Sequence, residues 1–122
     1  MKDLNVSTRI KGSRGEQIAA RYLESEGFEI VKTNFIFGKY GEIDIIARLK
    51  GEIIFVEVKT RSNTAYGDPL ESITWAKIKK IRRAAEGYLY INKIEDVPVR
   101  FDVIVVDMMT DPPNINHLVN AM

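Results

Sequence analysis

The 122-residue chain has no cysteine. That excludes disulfides, cysteine-ligated zinc and a thiol nucleophile, and it fits a reducing cytoplasm. Histidine is nearly absent too: the single one, His117, falls in a short C-terminal tail, where a surface position is expected and a catalytic base is not. No uninterrupted apolar run approaches ~18 residues, so no membrane-spanning helix is expected. The N-terminal stretch MKDLNVSTRIKGSRGE lacks the apolar core of a secretory signal. Neither sign of charge dominates, with 18 Lys and Arg against 17 Asp and Glu and a formal net charge of +1. Bulk positive charge that coats nucleic acid is thereby excluded, whereas a local basic patch is not. The expectation is a soluble, cytoplasmic protein without a membrane partner.

What is present is the composition of an ordinary globule, 45% apolar and 29% charged, in a length that holds one modest core. Residues 1–12 are polar and aperiodic and are expected to form a flexible arm, leaving 13–122 as a single domain. Ser13 and Glu16 stand at capping-box spacing and Gly27 is a C-terminal stop, so a helix is expected over 13–27, with Ile18, Ala19, Tyr22 and Leu23 as its apolar stripe. Strands are expected at 28–31, 42–46, 53–59 and 100–107, the second and third joined by a hairpin turn at 48–51. Residues 34–41, with aromatics and two glycines, read as a connection. A second helix is expected over 70–91, burying Trp75, Ile78, Ile81, Ala85 and Leu89 at helical spacing. The tail beyond Pro113 is too short to assign. The order is α-β-β-β-α-β in one mixed α/β layer structure.

Chemistry enters on the run Ile53-Ile54-Phe55-Val56-Glu57-Val58-Lys59. Alternation places Ile53, Phe55, Glu57 and Lys59 on one face and Ile54, Val56 and Val58 on the other. Both faces are apolar until the strand's end, as in an interior strand. Ionised side chains are seldom fully buried unless paired or ligated, so Glu57, Lys59 and the neighbouring Asp44 call for an explanation. Magnesium takes oxygen ligands and needs only one or two carboxylates. Asp44 and Glu57 could supply them, with the Val58 carbonyl as a third ligand, because adjacent strands lie ~4.8 Å apart. Lys59, about two residues' rise (~6.7 Å) beyond Glu57, could hold an attacking water or stabilise a pentavalent phosphorus. The plainer reading is an Asp and a Glu–Lys pair at solvated strand ends, and the spacing alone leaves both open. If the acids are gathered for a metal, only Lys59 offsets their charge, and neutralising either acid is expected to leave the metal-free fold no less stable.

Glu16 has two readings as well: a helix-capping residue, or an acid aimed at the metal from beside the apolar stripe. Lys77, Lys79, Lys80, Arg82 and Arg83 crowd two turns of the second helix, either as a solvated face or as a phosphate-binding track. Arg61, directly after the acidic strand, is a stronger candidate for a phosphate contact, with the segment 60–69 able to close over a backbone. Tyr40 and Tyr66 could stack on bases. No feature reads base sequence, so recognition would be of backbone, shape or ends.

The segments Gly15-Glu16 through Tyr22-Leu23 to Gly27, Gly41-Glu42-Ile43-Asp44-Ile45-Ile46-Ala47, Phe55-Val56-Glu57-Val58-Lys59-Thr60-Arg61, Tyr66-Gly67-Asp68-Pro69 and Arg100-Phe101-Asp102-Val103 together resemble the YraN family, over about residues 14–107. That family is similar to archaeal-type Holliday-junction resolvases and the PD-(D/E)XK nuclease superfamily. The resemblance implies a restriction-endonuclease-like α/β core, a mixed β-sheet flanked by helices in the order derived above. It places the superfamily's helix glutamate on Glu16, its metal aspartate on Asp44 and its E-x-K on Glu57 and Lys59. Ile43 stands where the signature often has proline. The implied activity is magnesium- or manganese-dependent cleavage of phosphodiester bonds in DNA. Asp44, Glu57 and Val58 would hold the ion, and Arg61, Lys77, Lys79, Lys80 and Arg83 the nucleic acid. A resolvase acts on a two-fold symmetric junction, so a homodimer is implied too. A non-catalytic nucleic-acid-binding module and a protein-interaction domain with a vestigial acidic cluster are the other readings.

Overall fold

A computed structural model describes residues 12–62 and 68–122. The expected arm lies, but for Gly12, outside the described residues, and so does Tyr66. Helix α1 spans Arg14–Ser25. Its capping box is complete: the Ser13 hydroxyl accepts the Glu16 N–H at 3.2 Å, and Glu16 Oε1 accepts the Ser13 N–H at 2.8 Å. Strand β1 spans Glu29–Phe37, β2 Gly41–Leu49 and β3 Glu52–Arg61. Lys50 and Gly51, both at positive φ (50° and 80°), make the two-residue loop between β2 and β3, the backbone that a tight hairpin's twist requires. A 3₁₀ turn at Pro69–Ser72 precedes helix α2, Trp75–Ile91. Strands β4, Val99–Asp107, and β5, Asn114–Leu118, complete a five-stranded sheet in the order β1-β2-β3-β4-β5. Only the β3–β4 pairing is parallel, and α2 is its crossover.

The expected α-β-β-β-α-β order is present, with three corrections. The expected connection at 34–41 is mostly strand, because a bulge between Ile30 and Lys32 and the left-handed Asn34 (φ 51°) break the two-residue rhythm that marks a strand. The unassigned tail forms β5, whose alternation is too short to stand out. The second helix starts at Trp75, and Trp75 itself is 69% exposed, while Ile81, Ala84, Ala85 and Tyr88 form the buried stripe. Trp75 is the first helical residue, ahead of the turn where that stripe begins.

The sheet is covered on both faces. Ala19, Ala20 and Leu23 of α1 pack on Ile54, Val56 and Val58, and Ile81, Ala84, Ala85 and Tyr88 of α2 pack on Ile53 and Phe55. The alternation of β3 is thus read out by two helices, which is why both of its faces are apolar. Both helices begin near the C-terminal end of β3. At Gly15 of α1 a Cβ would stand 2.1 Å from Thr60 Oγ1, so only glycine permits this approach. Among the described residues no helix is long and apolar enough to cross a membrane.

Candidate functional site

The antiparallel ladder of β2 with β3 stops at Ile45↔Val56. Beyond that pair the acidic residues gather. Thr33↔Ile45 and Phe35↔Ile43 set Asn34 opposite Asp44. Ile43 packs in the α2-side core and Ile45 in the α1-side core, although strict alternation would place them on one face. The strand therefore rotates at Asp44, and its carboxylate turns sideways toward β3, where Oδ2 accepts the Val58 N–H at 2.8 Å. A side-chain oxygen here replaces the backbone partner that the ended ladder no longer provides. A strand residue's N–H and C=O project to the same edge, so the Val58 carbonyl faces this gap too.

Asp44 is buried beside acids. Burial first, then the charge of Glu57 and a hydrogen-bonded contact with Glu16, push its pKa up from 3.8 to about 8 against the opposing Val58 N–H. Among the described residues no salt bridge reaches it. Glu16 approaches from α1, held by the Ser13 N–H and by Asn34 Nδ2 at 3.4 Å, so capping and proximity to Asp44 are combined in one side chain.

Glu57 is also buried, on the α2 side, and its situation differs. Its Oε2 is 3.2 Å from Lys59 Nζ and 2.8 Å from Lys77 Nζ. Burial, then the neighbouring Lys77, draws the Lys59 pKa down, with Glu57 pulling the other way. Burial would lower Lys77 too, but its bonds to Glu57 and Lys59 outweigh that and raise it. The expectation that Lys59 alone balances the acids is thus corrected. Lys77, expected among the solvent-facing phosphate contacts, turns inward from the first turn of α2. Its signal in the sequence is topological: a crossover helix that follows β3 starts over that strand's C-terminal end.

The remaining candidates lie apart from this cluster. Arg61 pairs with Asp107 at 3.4 Å beside a cleft of about 450 Å³ lined also by Asp68, Leu70 and Asn116, and among the described residues its buried Nε has no partner. Lys79, Lys80 and Arg83 are exposed on α2, and Arg83 lies over the Tyr40 ring, 4.7 Å from its centroid. His117, expected at the surface, is instead held between Asp102 (2.7 Å) and the Tyr22 hydroxyl (3.0 Å). Its partners come from β4 and α1, and pairing of β5 with β4 puts it there.

Oxygen donors of the type a hard cation prefers are in place: two buried carboxylates and a main-chain carbonyl at the end of the ladder. Among the described residues no three His, Cys, Asp or Glu side chains form a ligand set, so an ion here would complete its shell with water. The set fits a divalent cation in one further respect: Asp44 retains a proton to about pH 8, and a cation could take that proton's place.

These features define an α/β protein with a mixed five-stranded sheet and an acid–lysine cluster where β2 and β3 part. Residues 15–106 match the Uncharacterised protein family UPF0102, and the chain belongs to that family. It is 46% identical to a UPF0102 protein of Clostridioides difficile over 95% of this chain and 99% of that one. Over 99% of both chains it is 40% identical to a UPF0102 protein of Caldanaerobacter subterraneus. A UPF0102 protein of Alkaliphilus oremlandii is 46% identical over 90% of this chain and 95% of that one. The resemblance to the YraN family drawn from the motifs is the same membership.

Proposed function

We propose that the protein is a magnesium- or manganese-dependent nuclease acting on DNA, with Asp44, Glu57 and Lys59 at its centre. The observation that carries this reading is Asp44, an acid buried against two other acids and, among the described residues, without a salt bridge, a costlier arrangement than its one scaffold contact, the Val58 N–H, requires. Asp44 and Glu57, with the Val58 carbonyl, would hold the ion. When bound, such an ion lowers the pKa of a coordinated water and neutralises charge developing on phosphate. Lys59 is suited to hold the attacking water, because its Nζ stands 3.2 Å from the Glu57 carboxylate at the end of the ladder. Glu16 orients the Asp44 carboxyl. Arg61, Lys79, Lys80 and Arg83 would contact backbone phosphates, and the starts of α1 and α2, which flank the site, favour negative charge. A homodimer follows if the substrate is a symmetric junction.

One observation favours a second reading, a non-catalytic nucleic-acid-binding module: Glu57 is already neutralised by two lysines. The decisive experiment incubates labelled four-way junction, flap, duplex and single-stranded DNA with Mg²⁺, Mn²⁺ or EDTA. Cleavage that needs metal and disappears in Asp44→Asn and Lys59→Met supports the nuclease. Binding without cleavage under every condition supports the module.

A further inference from the structure

Lys39 and Tyr40, from the turn between β1 and β2, and Lys79, Lys80 and Arg83, from α2, line a cleft of about 200 Å³. All five are exposed, and among the described residues none that lines the cleft is acidic. Among the described residues none of the four cations takes part in a salt bridge. Like charges so grouped repel one another, which makes an anionic ligand the economical explanation.

The cleft's two walls are locked together. At Gly41 a Cβ would stand 2.8 Å from the Lys80 carbonyl oxygen, so the hairpin tip meets the helix backbone directly. The Arg83 guanidinium, stacked on Tyr40, presents its donors from a fixed plane. Lys80 lies one helical turn beyond Lys77, which is tied to Glu57, so the cleft opens ~4.5 Å further along the α2 axis than the acid site.

We infer that this cleft is a seat for a single phosphate group of a nucleic-acid strand, gripped by Lys39, Lys79, Lys80 and Arg83. Its assignment as the neighbour of the scissile phosphate rests on the nuclease reading; the seat itself does not. Lys39, which no residue pattern singled out, is the part of the seat that the basic helix alone cannot supply. An internal diester and a strand-terminal phosphate share this chemistry.

The test measures binding of a short single-stranded oligonucleotide in EDTA, with and without a 5′-phosphate, across a salt series. Lys39→Gln and Arg83→Gln should each weaken binding and flatten the plot of log affinity against log salt by about 0.7 per lost contact. Lys50→Gln, an exposed lysine at the opposite end of β2, should change neither. Preference for the 5′-phosphate that vanishes in Arg83→Gln assigns the seat to a strand end, and equal affinity assigns it to an internal diester. Slopes unaltered in Lys39→Gln and Arg83→Gln overturn the seat, even if the wild type cleaves DNA with metal. Slopes reduced as expected, without cleavage in any metal, leave the seat standing and sink the nuclease.

Discussion

Asp44 and Asp102 are both buried aspartates on neighbouring parts of one sheet, and their surroundings are opposite. Asp102, fully buried on β4, accepts from Arg100 Nε and Nη2 at 2.9 Å each, from the Asn120 N–H at 2.9 Å, and contacts His117 Nε2 at 2.7 Å. Burial alone would raise its pKa, but Arg100, then the Asn120 N–H and His117, hold it below the usual carboxylate range. Its partners come from β4, β5 and the segment after β5, so this acid ties the C-terminal tail to the sheet. Asp44 has one backbone donor and two acidic neighbours, and its pKa moves the other way. Asp102 is surrounded by donors, whereas Asp44, among the described residues, has no salt-bridge partner.

The strongest way to test this contrast is to neutralise Asp102. Asp102→Asn removes the buried carboxylate that Arg100 and His117 Nε2 contact, leaving Arg100 only Glu52 at 3.4 Å, and thermal melts should show a loss of about 3–5 kcal/mol. Because the folded pKa of Asp102 is depressed, its contribution is present above the ordinary carboxylate pKa and fades as the pH falls through the folded value. A loss below 1 kcal/mol at neutral pH, on the order of an exposed ion pair, would remove Asp102 as the scaffold half of the comparison.

Asp44 should give the opposite sign. Between 3.8 and about 8 the folded protein holds a proton there that the unfolded chain has released. Stability relative to Asp44→Asn should therefore fall as pH rises through that window, by at most ~1.4 kcal/mol per unit, leaving the variant the more stable by a few kcal/mol at its upper end. Mn²⁺ should reduce this pH dependence in the wild type and be bound, by calorimetry, only when Asp44 is intact. A flat difference between the two proteins across the window would mean that Asp44 is as well compensated as Asp102.

Glu57 lies between the two extremes, because Lys59 and Lys77 share it. Glu57→Gln leaves two adjacent lysines uncompensated and should lower stability by about 1–3 kcal/mol. Lys59→Met removes the more buried of the two lysines, whose ammonium burial already disfavours, and should cost under ~1 kcal/mol. Denaturant melts in EDTA rank the pair; the reverse ranking would make Lys59, and not Lys77, the main counter-charge of Glu57. The smallest effect is expected for Glu16→Gln. Glutamine keeps the capping box, so stability should change by no more than ~0.5 kcal/mol, while removal of a neighbouring acid lowers the pH at which Asp44 titrates. An unshifted Asp44 titration in this variant would reduce Glu16 to a cap.

Local rules account for what was legible in advance. The capping box at Ser13 and Glu16, the tight turn at Lys50 and Gly51 and the two-faced apolar run of β3 depend on neighbours close along the chain, and each is where the sequence pattern puts it. The rotation of β2 at Asp44 was not legible, because it arises from a left-handed Asn34 on the adjacent strand and from a ladder that ends at Ile45↔Val56. The exposure of Trp75 was missed because helical spacing specifies a stripe but not the turn on which burial begins.

Alternation alone therefore determined that β3 is an interior strand and that Glu57 and Lys59 share one of its faces. Which charges meet there was decided only by the tertiary structure. Lys77, twenty residues beyond Glu57 in sequence, reaches it because α2 starts over the end of β3, and His117 reaches Asp102 because β5 pairs with β4. Electrostatic partnership depends on distance in space and on burial, and neither is encoded in residue spacing once the chain crosses from one layer to another.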